Sequence, residues 1–299
     1  MGNVLVSTGR KGRKVMLAAH MDEVGLMISG ISKEGLLYFK KVGGIDDRVL
    51  LAKVVLIGKD RIPGVIGAKP IHKQEPKERE SVIRADQLFI DIGASRKEEA
   101  ERWVHPGDVA VFATQFERYG NVVKAKALDD RVGVAILLRL LEQTFDLDLH
   151  VAFTVQEEVG LRGARTAAYQ LEPECALVVE GTICSDIPEI EPHQWVTKLG
   201  AGAALSVADH TSLANRGLLR VLEESAQKAG VRYQFRESSA GGNDAGAIQV
   251  SRAGVPTASV SVPVRYLHSP CSIADSGDIE DTYRLLEAFL RRVEGGLVI

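Results

Sequence analysis

The chain has 299 residues, 45% hydrophobic and 26% charged, with a formal net charge of -3, as in an ordinary globular protein of one large or two smaller domains. A slight acidic excess without a recurring basic block argues against a nucleic-acid partner, and no apolar run approaches the length of a membrane span. Cys175, Cys184 and Cys271 are too scattered for a disulfide framework and the N-terminus lacks a signal-peptide core, so a cytoplasmic setting is expected.

The first elements read as strands, "NVLVST" and "KVMLAAHM", followed by "GLMISGIS" and "GLLYFKKV". From residue 43 to 126 short β-type runs alternate with turn residues ("KVVLIG", "GVIGA", "QLFIDIG", "DVAVFAT", "NVVKAK"), with one charged helical piece, "SRKEEAERW". The mixed-sign, proline-containing stretch "KPIHKQEPKERE" reads as a solvated loop. After Asp129 the period changes. "DRVGVAILLRLLEQ" and "SLANRGLLRVLEESAQKAG" carry apolar residues at helical spacing, the second with Gly230 as its terminator. "DLHVAFTV" and "CALVVEG" are continuous apolar runs, as expected of strands buried on both faces. "RYQFRES" (strand), "DAGAIQVSRAG" (helix), "TASVSVP" (strand) and "IEDTYRLLEAFLRRVEGG" (helix) complete the chain. The alternation predicts an α/β fold, a sheet with helices on both faces, built from residues 1–42 and 127–299 and interrupted by a β-rich insert over 43–126.

Polar residues cluster where strands should end: "AHMDEVG" (His20, Asp22, Glu23), "KALDDRVG" (Asp129, Asp130), "QEEVGLRGA" (Glu157, Glu158), "VVEGT" (Glu180) and "VRYLHSP" (His268). In open α/β sheets ligands bind at the carboxyl ends of strands, so these clusters can converge. Each alone has a plainer reading: a helix N-terminus for Glu157–Glu158, an N-cap for Asp129–Asp130, an ordinary core or surface histidine for His20 and His268. Taken together, two histidines with several carboxylates suit Zn²⁺ or Co²⁺ better than Mg²⁺ or Ca²⁺. "GGNDAG" is either a turn with Asn243 or Asp244 as a cap, or a loop touching substrate. His72 reads as a loop histidine, with contact to a neighbouring subunit's site as the alternative. His105 and His193 read as turn residues. Ser238 and Ser239 lack a G-x-S-x-G elbow, and "LGAGAA" is out of context for a dinucleotide.

The same motifs, "AHMDEVG", "ALDDRVG", "QEEVGLRGA", "GGNDAGAI" and "PVRYLHSP", run in order through nearly the whole chain. In them the sequence resembles the dinuclear metallo-aminopeptidases of the glutamyl and deblocking type, the tetrahedral (TET) aminopeptidases, some of which are labelled endoglucanase or cellulase M. The resemblance implies a zinc-peptidase-like catalytic domain, a mixed β-sheet sandwiched by helices, and an oligomerisation role for the β-rich insert. It implies two divalent ions per subunit, Zn²⁺ or Co²⁺, with Asp129 bridging them, Glu158 and His268 on one, and His20 and Glu180 on the other. Glu157 is then the general base for an activated water, Asp22 orients His20, and the Asp129–Asp130 peptide bond is cis. Many relatives have Asp at the position of Glu180, and relatives carry an additional N-terminal helical segment before "GNVLVSTG". The activity implied is release of N-terminal residues from peptides by a cytoplasmic homo-oligomer, dodecameric by resemblance. The alternatives are a glycoside hydrolase, as the endoglucanase label suggests, and a catalytically silent shell subunit with a short N-terminus.

Overall fold

A computed structural model describes residues 1–238 and 240–296. The strands in chain order are β1 (Val4–Ser7), β2 (Lys14–His20), β3 (Gly25–Ile31), β4 (Leu37–Val42), β5 (Val54–Ile57), β6 (Ile62–Gly67), β7 (Phe89–Asp91), β8 (Val109–Phe112), β9 (Glu117–Tyr119), β10 (Val122–Ala125), β11 (Asp148–Thr154), β12 (Cys175–Ile183), β13 (Ala203–Ser206), β14 (Tyr233–Phe235), β15 (Thr257–Arg265) and β16 (Ser272–Asp275). The α-helices are α1 (Pro76–Arg79), α2 (Lys97–Ala100), α3 (Leu128–Leu141), α4 (Arg162–Leu171), α5 (Arg216–Ala229), α6 (Asp244–Gln249) and α7 (Ser276–Glu294). They divide between two compact units: Met1–Asp22 with Phe116–Leu267 and Ser272–Ile299, and Glu23–Gln115 with His268–Cys271.

The larger unit is the mixed α/β sheet. Its strands run β1-β11-β2-β12-β15-β16-β10-β9, with β13 and β14 branching from β15. The central four, β11, β2, β12 and β15, are parallel, so their carboxyl ends share one edge. One face packs a cluster that includes Val15, Leu17, Val151, Leu177, Val179 and Val260 against α3, α5 and α7. The other face packs Met16, Ala18, Ala152, Ala176 and Val178 against α4 and α6. Alternate residues of β2 thus enter opposite cores, which explains why its sequence is apolar throughout. Local signals fix the helix ends. Asn215 caps α5 by accepting the Leu218 N–H, and Gly230 ends it at φ 62°.

The smaller unit is a closed barrel in the order β3-β4-β7-β6-β5-β8. Leu26, Ile28, Val55, Ile57, Ile66, Ile90 and Phe112 fill its interior. The sequence pattern starts the β-rich insert at residue 43, whereas β3 and β4 pair inside the barrel; β9 and β10, counted with the insert, join the large sheet. The reason is non-local. An alternating strand has the same local pattern in either sheet, and its partner decides: β3 pairs with β8, and β10 with β16.

Candidate metal centre

The parallel strands deliver their ends to one place. His20 is the last residue of β2, directly paired with Thr154 at the end of β11. Gln156 (φ 61°) and Leu161 (φ 55°) then turn the chain through Glu157 and Glu158 into α4. This turn is tied down from behind. Asn3 Nδ2 donates to Gly163 O (2.8 Å) and Asn3 Oδ1 accepts the Val155 N–H (3.1 Å). Gly163 is obligatory here, because a Cβ would lie 2.3 Å from Val155 O.

Asp22 grips the same turn from the front. Its two oxygens accept the backbone N–H groups of Glu157 (3.1 Å) and Glu158 (3.2 Å). His20 Nδ1 lies 3.2 Å from Asp22 O and 3.6 Å from Asp22 Oδ1, and Nε2 lies 3.2 Å from Asp129 Oδ1. An imidazole with one nitrogen on a backbone oxygen and the other toward a carboxylate cluster has the posture of a metal-ligating histidine. Asp129 (φ −87°, ψ 110°) and Asp130 (φ −121°, ψ 45°) precede the regular turns of α3, and the peptide bond between them is cis. Asp130 is buried and accepts the N–H groups of His20 (3.1 Å) and Gly133 (3.0 Å), pinning α3 to β2. Glu180 is on β12, where Asn243 Nδ2 donates to its Oε1 at 2.7 Å.

The electrostatics are those of crowded acids, Asp130 and Asp244 buried and Asp22, Glu157 and Glu180 half-buried. Burial pushes the Glu157 carboxyl up to about 8, against the pull of His20 and with added repulsion from Asp244, Asp129 and Glu158. Burial, then the Asp129, Glu157 and Asp130 charges, drives Glu180 well above the carboxylate range, and burial does the same to Asp130. Burial lifts Asp244 to about 6, although it accepts Thr154 Oγ1 at 2.5 Å. Burial works against a charged His20, but its hydrogen bonds to Asp129 and Asp22 outweigh this and raise it well above 6.5. Asp22 goes the other way. Burial would raise it, but the His20 contact and the two backbone donors win and lower it.

One ligand atom from each of His20, Glu157 and Glu158 lies within 4.8 Å of the others. Several half-buried carboxyls and a buried imidazole, with no Lys or Arg hydrogen-bonded to Glu157 or Glu180 among the described residues, fit a divalent cation.

A family model for the M42 glutamyl aminopeptidases matches residues 2–285. The chain belongs to the M42 glutamyl aminopeptidase family. Among curated members, the lysyl aminopeptidase of Pyrococcus furiosus is 33% identical over 302 residues, covering 98% of this chain and 86% of its own. Among solved structures, an aminopeptidase of the archaeon Desulfurococcus kamchatkensis superposes with a TM-score of 0.92 at 39% identity, over 97% of this chain and 83% of that one. The TET1 peptidase of Pyrococcus horikoshii, which can assemble into a tetrahedron or a large octahedral shell, superposes with a TM-score of 0.86 at 38% identity, over 96% and 86% of the two chains.

In this M42 chain the larger unit brings His20, Asp22, Asp129, Glu157 and Glu158 together, with Glu180 behind them on Asn243. His268 follows β15 in a left-handed turn (φ 55°), in the segment that groups with the barrel. His72, His105 and His193 are exposed on short turns. Ser239, set aside as a nucleophile for want of a G-x-S-x-G elbow, lies outside the described residues. Two contacts have no local signal: Thr154 with Asp244, 90 residues apart, and Asn243 with Glu180, 63 apart.

Proposed function

We propose that this M42 member is a metal-dependent aminopeptidase that removes N-terminal residues from peptides. The observation that carries this reading is Glu157, a half-buried carboxyl beside Glu158 and the buried His20 at the carboxyl edge of the parallel strands. His20, Asp129, Glu158, Glu180 and His268 would hold two divalent ions, Zn²⁺ or Co²⁺, with Asp129 shared. Bound there, the ions supply a Lewis acid for the scissile carbonyl and lower the pKa of the attacking water. Glu157 takes the water's proton and hands it to the leaving amine. It must be ionised to do so, and positive charge beside it favours that form. Asp22 fixes the backbone of both glutamates through its two oxygens, so Glu157 stays aimed while Glu158 serves as a ligand. Asp22 also holds the Nδ1 side of His20, which leaves Nε2 for coordination.

The test is hydrolysis of Glu-, Lys- and Leu-chromogenic substrates by chelated protein, by protein given Zn²⁺ or Co²⁺, and by Glu157→Gln. Metal-restored activity that falls about 10²–10⁴-fold in the variant, with metal binding kept, is expected. Chelator-resistant activity would sink the reading. A panel in which no substrate is cleaved although ions bind would favour the silent-subunit alternative. An imidazole among the carboxyls disfavours the glycoside-hydrolase alternative, which needs only two flanking acids.

A homo-oligomer assembled through the β-rich residues is part of the same proposal, with TET1 as precedent. Met27, Val54, Val65 and Val109 are exposed on the barrel's outer face, and Val54 pairs with Val65 and Met27 with Val109 across neighbouring strands. Sedimentation velocity should give an assembly that Val54→Glu/Val65→Glu dissociates. A monomeric wild type would refute it.

A further inference from the structure

Glu180 is held by a hydrogen-bond network that reaches well beyond the acidic cluster. Its β12 position is in register with Ser261 on β15, whose Oγ lies 3.5 Å from Glu180 Oε1. The stronger contact to the same oxygen is the 2.7 Å bond from Asn243 Nδ2. Asn243 is 3% exposed. Its Oδ1 accepts the Ala245 N–H (2.8 Å), which caps α6, and Ser259 Oγ (3.2 Å). Those two donors fix which end of the amide is oxygen, so the NH₂ end must face Glu180. The remaining NH₂ contact goes to Asp209 Oδ2 at 3.2 Å. Asp209 is itself immobilised: it accepts the N–H groups of Thr211 and Ser212, both at 2.7 Å, and their hydroxyls at 2.9 and 2.8 Å. Thr211 in turn packs on Gly242 and Gly246, where any Cβ would come within 2.6 Å of its side chain.

Every hydrogen-bonding position of the Asn243 amide therefore has a partner, and four segments meet on it. A free glutamate has several rotamers to lose before it can ligate an ion. An amide tether removes that freedom without bringing positive charge, so the carboxylate charge stays available to a cation. We propose that Asn243, steadied by Asp209, is the positioning residue that ties Glu180 Oε1 and presents Oε2 to a divalent ion. This rests on the reading of Glu180 as a metal ligand.

The test is calorimetric titration of chelated protein with Zn²⁺, comparing wild type, Asn243→Ser, Asn243→Asp and Glu180→Gln, with far-UV circular dichroism of each metal-free protein. Ser and Asp both keep an N-cap acceptor, and Asp keeps the shape, so the fold does not depend on a single variant. Wild type should bind two ions. Both Asn243 variants should bind one of them about 10–100-fold more weakly, the ordinary cost of losing a hydrogen bond to a metal-ligating group. The weakened ion should be the one lost in Glu180→Gln, and the other should be unchanged. Wild-type affinities in folded Asn243→Ser and Asn243→Asp, or tighter binding in either, would overturn the positioning role and leave the metallo-aminopeptidase reading standing. A wild type that binds no Zn²⁺ or Co²⁺ would overturn that reading and this inference with it.

Discussion

Arg265→Ala isolates one half-buried ion pair on the loop that follows Glu180. Asp186 takes a two-pronged grip from Arg265, Nε to Oδ1 and Nη2 to Oδ2, both 2.8 Å, with side-chain exposures of 7% for Asp186 and 28% for Arg265. It also accepts Cys184 Sγ (2.9 Å) and the Leu199 N–H (3.1 Å). Removing the guanidinium leaves a buried carboxylate with two weaker donors. A fully buried pair broken in this way costs about 3–5 kcal/mol, and the partly exposed arginine brings the expectation down to about 2 kcal/mol. Burial alone would raise the Asp186 pKa, but the Arg265, Cys184 and Leu199 bonds outweigh it and hold it below 3.8. A depressed carboxyl contributes its stabilisation in full above its unfolded value and loses it as pH falls through the folded one. The gap between wild type and Arg265→Ala should therefore be full at pH 7 and close below pH about 4. Urea unfolding of chelated protein reads it, through the fluorescence of Trp195 in a Trp103→Phe background. Trp195 lies on the same loop, with its Nε1 on Ile190 O. The midpoint should fall by about 1 M at pH 7. A gap under about 0.5 kcal/mol there, the size of an ordinary surface change, or one that widens in acid, would refute the reasoning.

Two further outcomes follow from packing and burial. Gly163→Ala forces a Cβ against Val155 O and N at 2.3 and 2.6 Å, neither of which can swing aside, so it should cost about 1–3 kcal/mol. Differential scanning fluorimetry should register a drop of several degrees, and an unchanged midpoint would contradict the close approach. Burial pushes the Cys175 and Cys184 thiols up to about 12, so native protein at neutral pH should be alkylated by iodoacetamide at Cys271 alone, as read by peptide mass spectrometry. Cys184 labelled as fast as Cys271 would contradict its burial.

Much of the site is legible in the sequence because strand ends announce themselves. "AHMDEVG" and "QEEVGLRGA" put acids and a histidine directly after apolar runs, and β2 and β11 end there side by side. The helix cap within "GGNDAG" is legible for the same local reason: Asn243 accepts the Ala245 N–H. The other end of that amide is not, because nothing near Asn243 in the chain indicates that Glu180 will lie beside it. Asp244 is similar. Its carboxyl meets Thr154 only once β11 and α6 have packed on the same sheet. The barrel boundary also escapes a local reading, since "GLMISGIS" alternates equally well for either sheet.

The seat of Thr211 on Gly242 and Gly246 bears on loop grafting. A donor loop with any larger residue at either glycine collides with Thr211, and a donor 209–213 loop with a bulkier residue at Thr211 collides with the glycines. The two segments form one cassette, to be exchanged together in chimaeras between relatives. A library that varies one while fixing the other would mostly sample misfolded members.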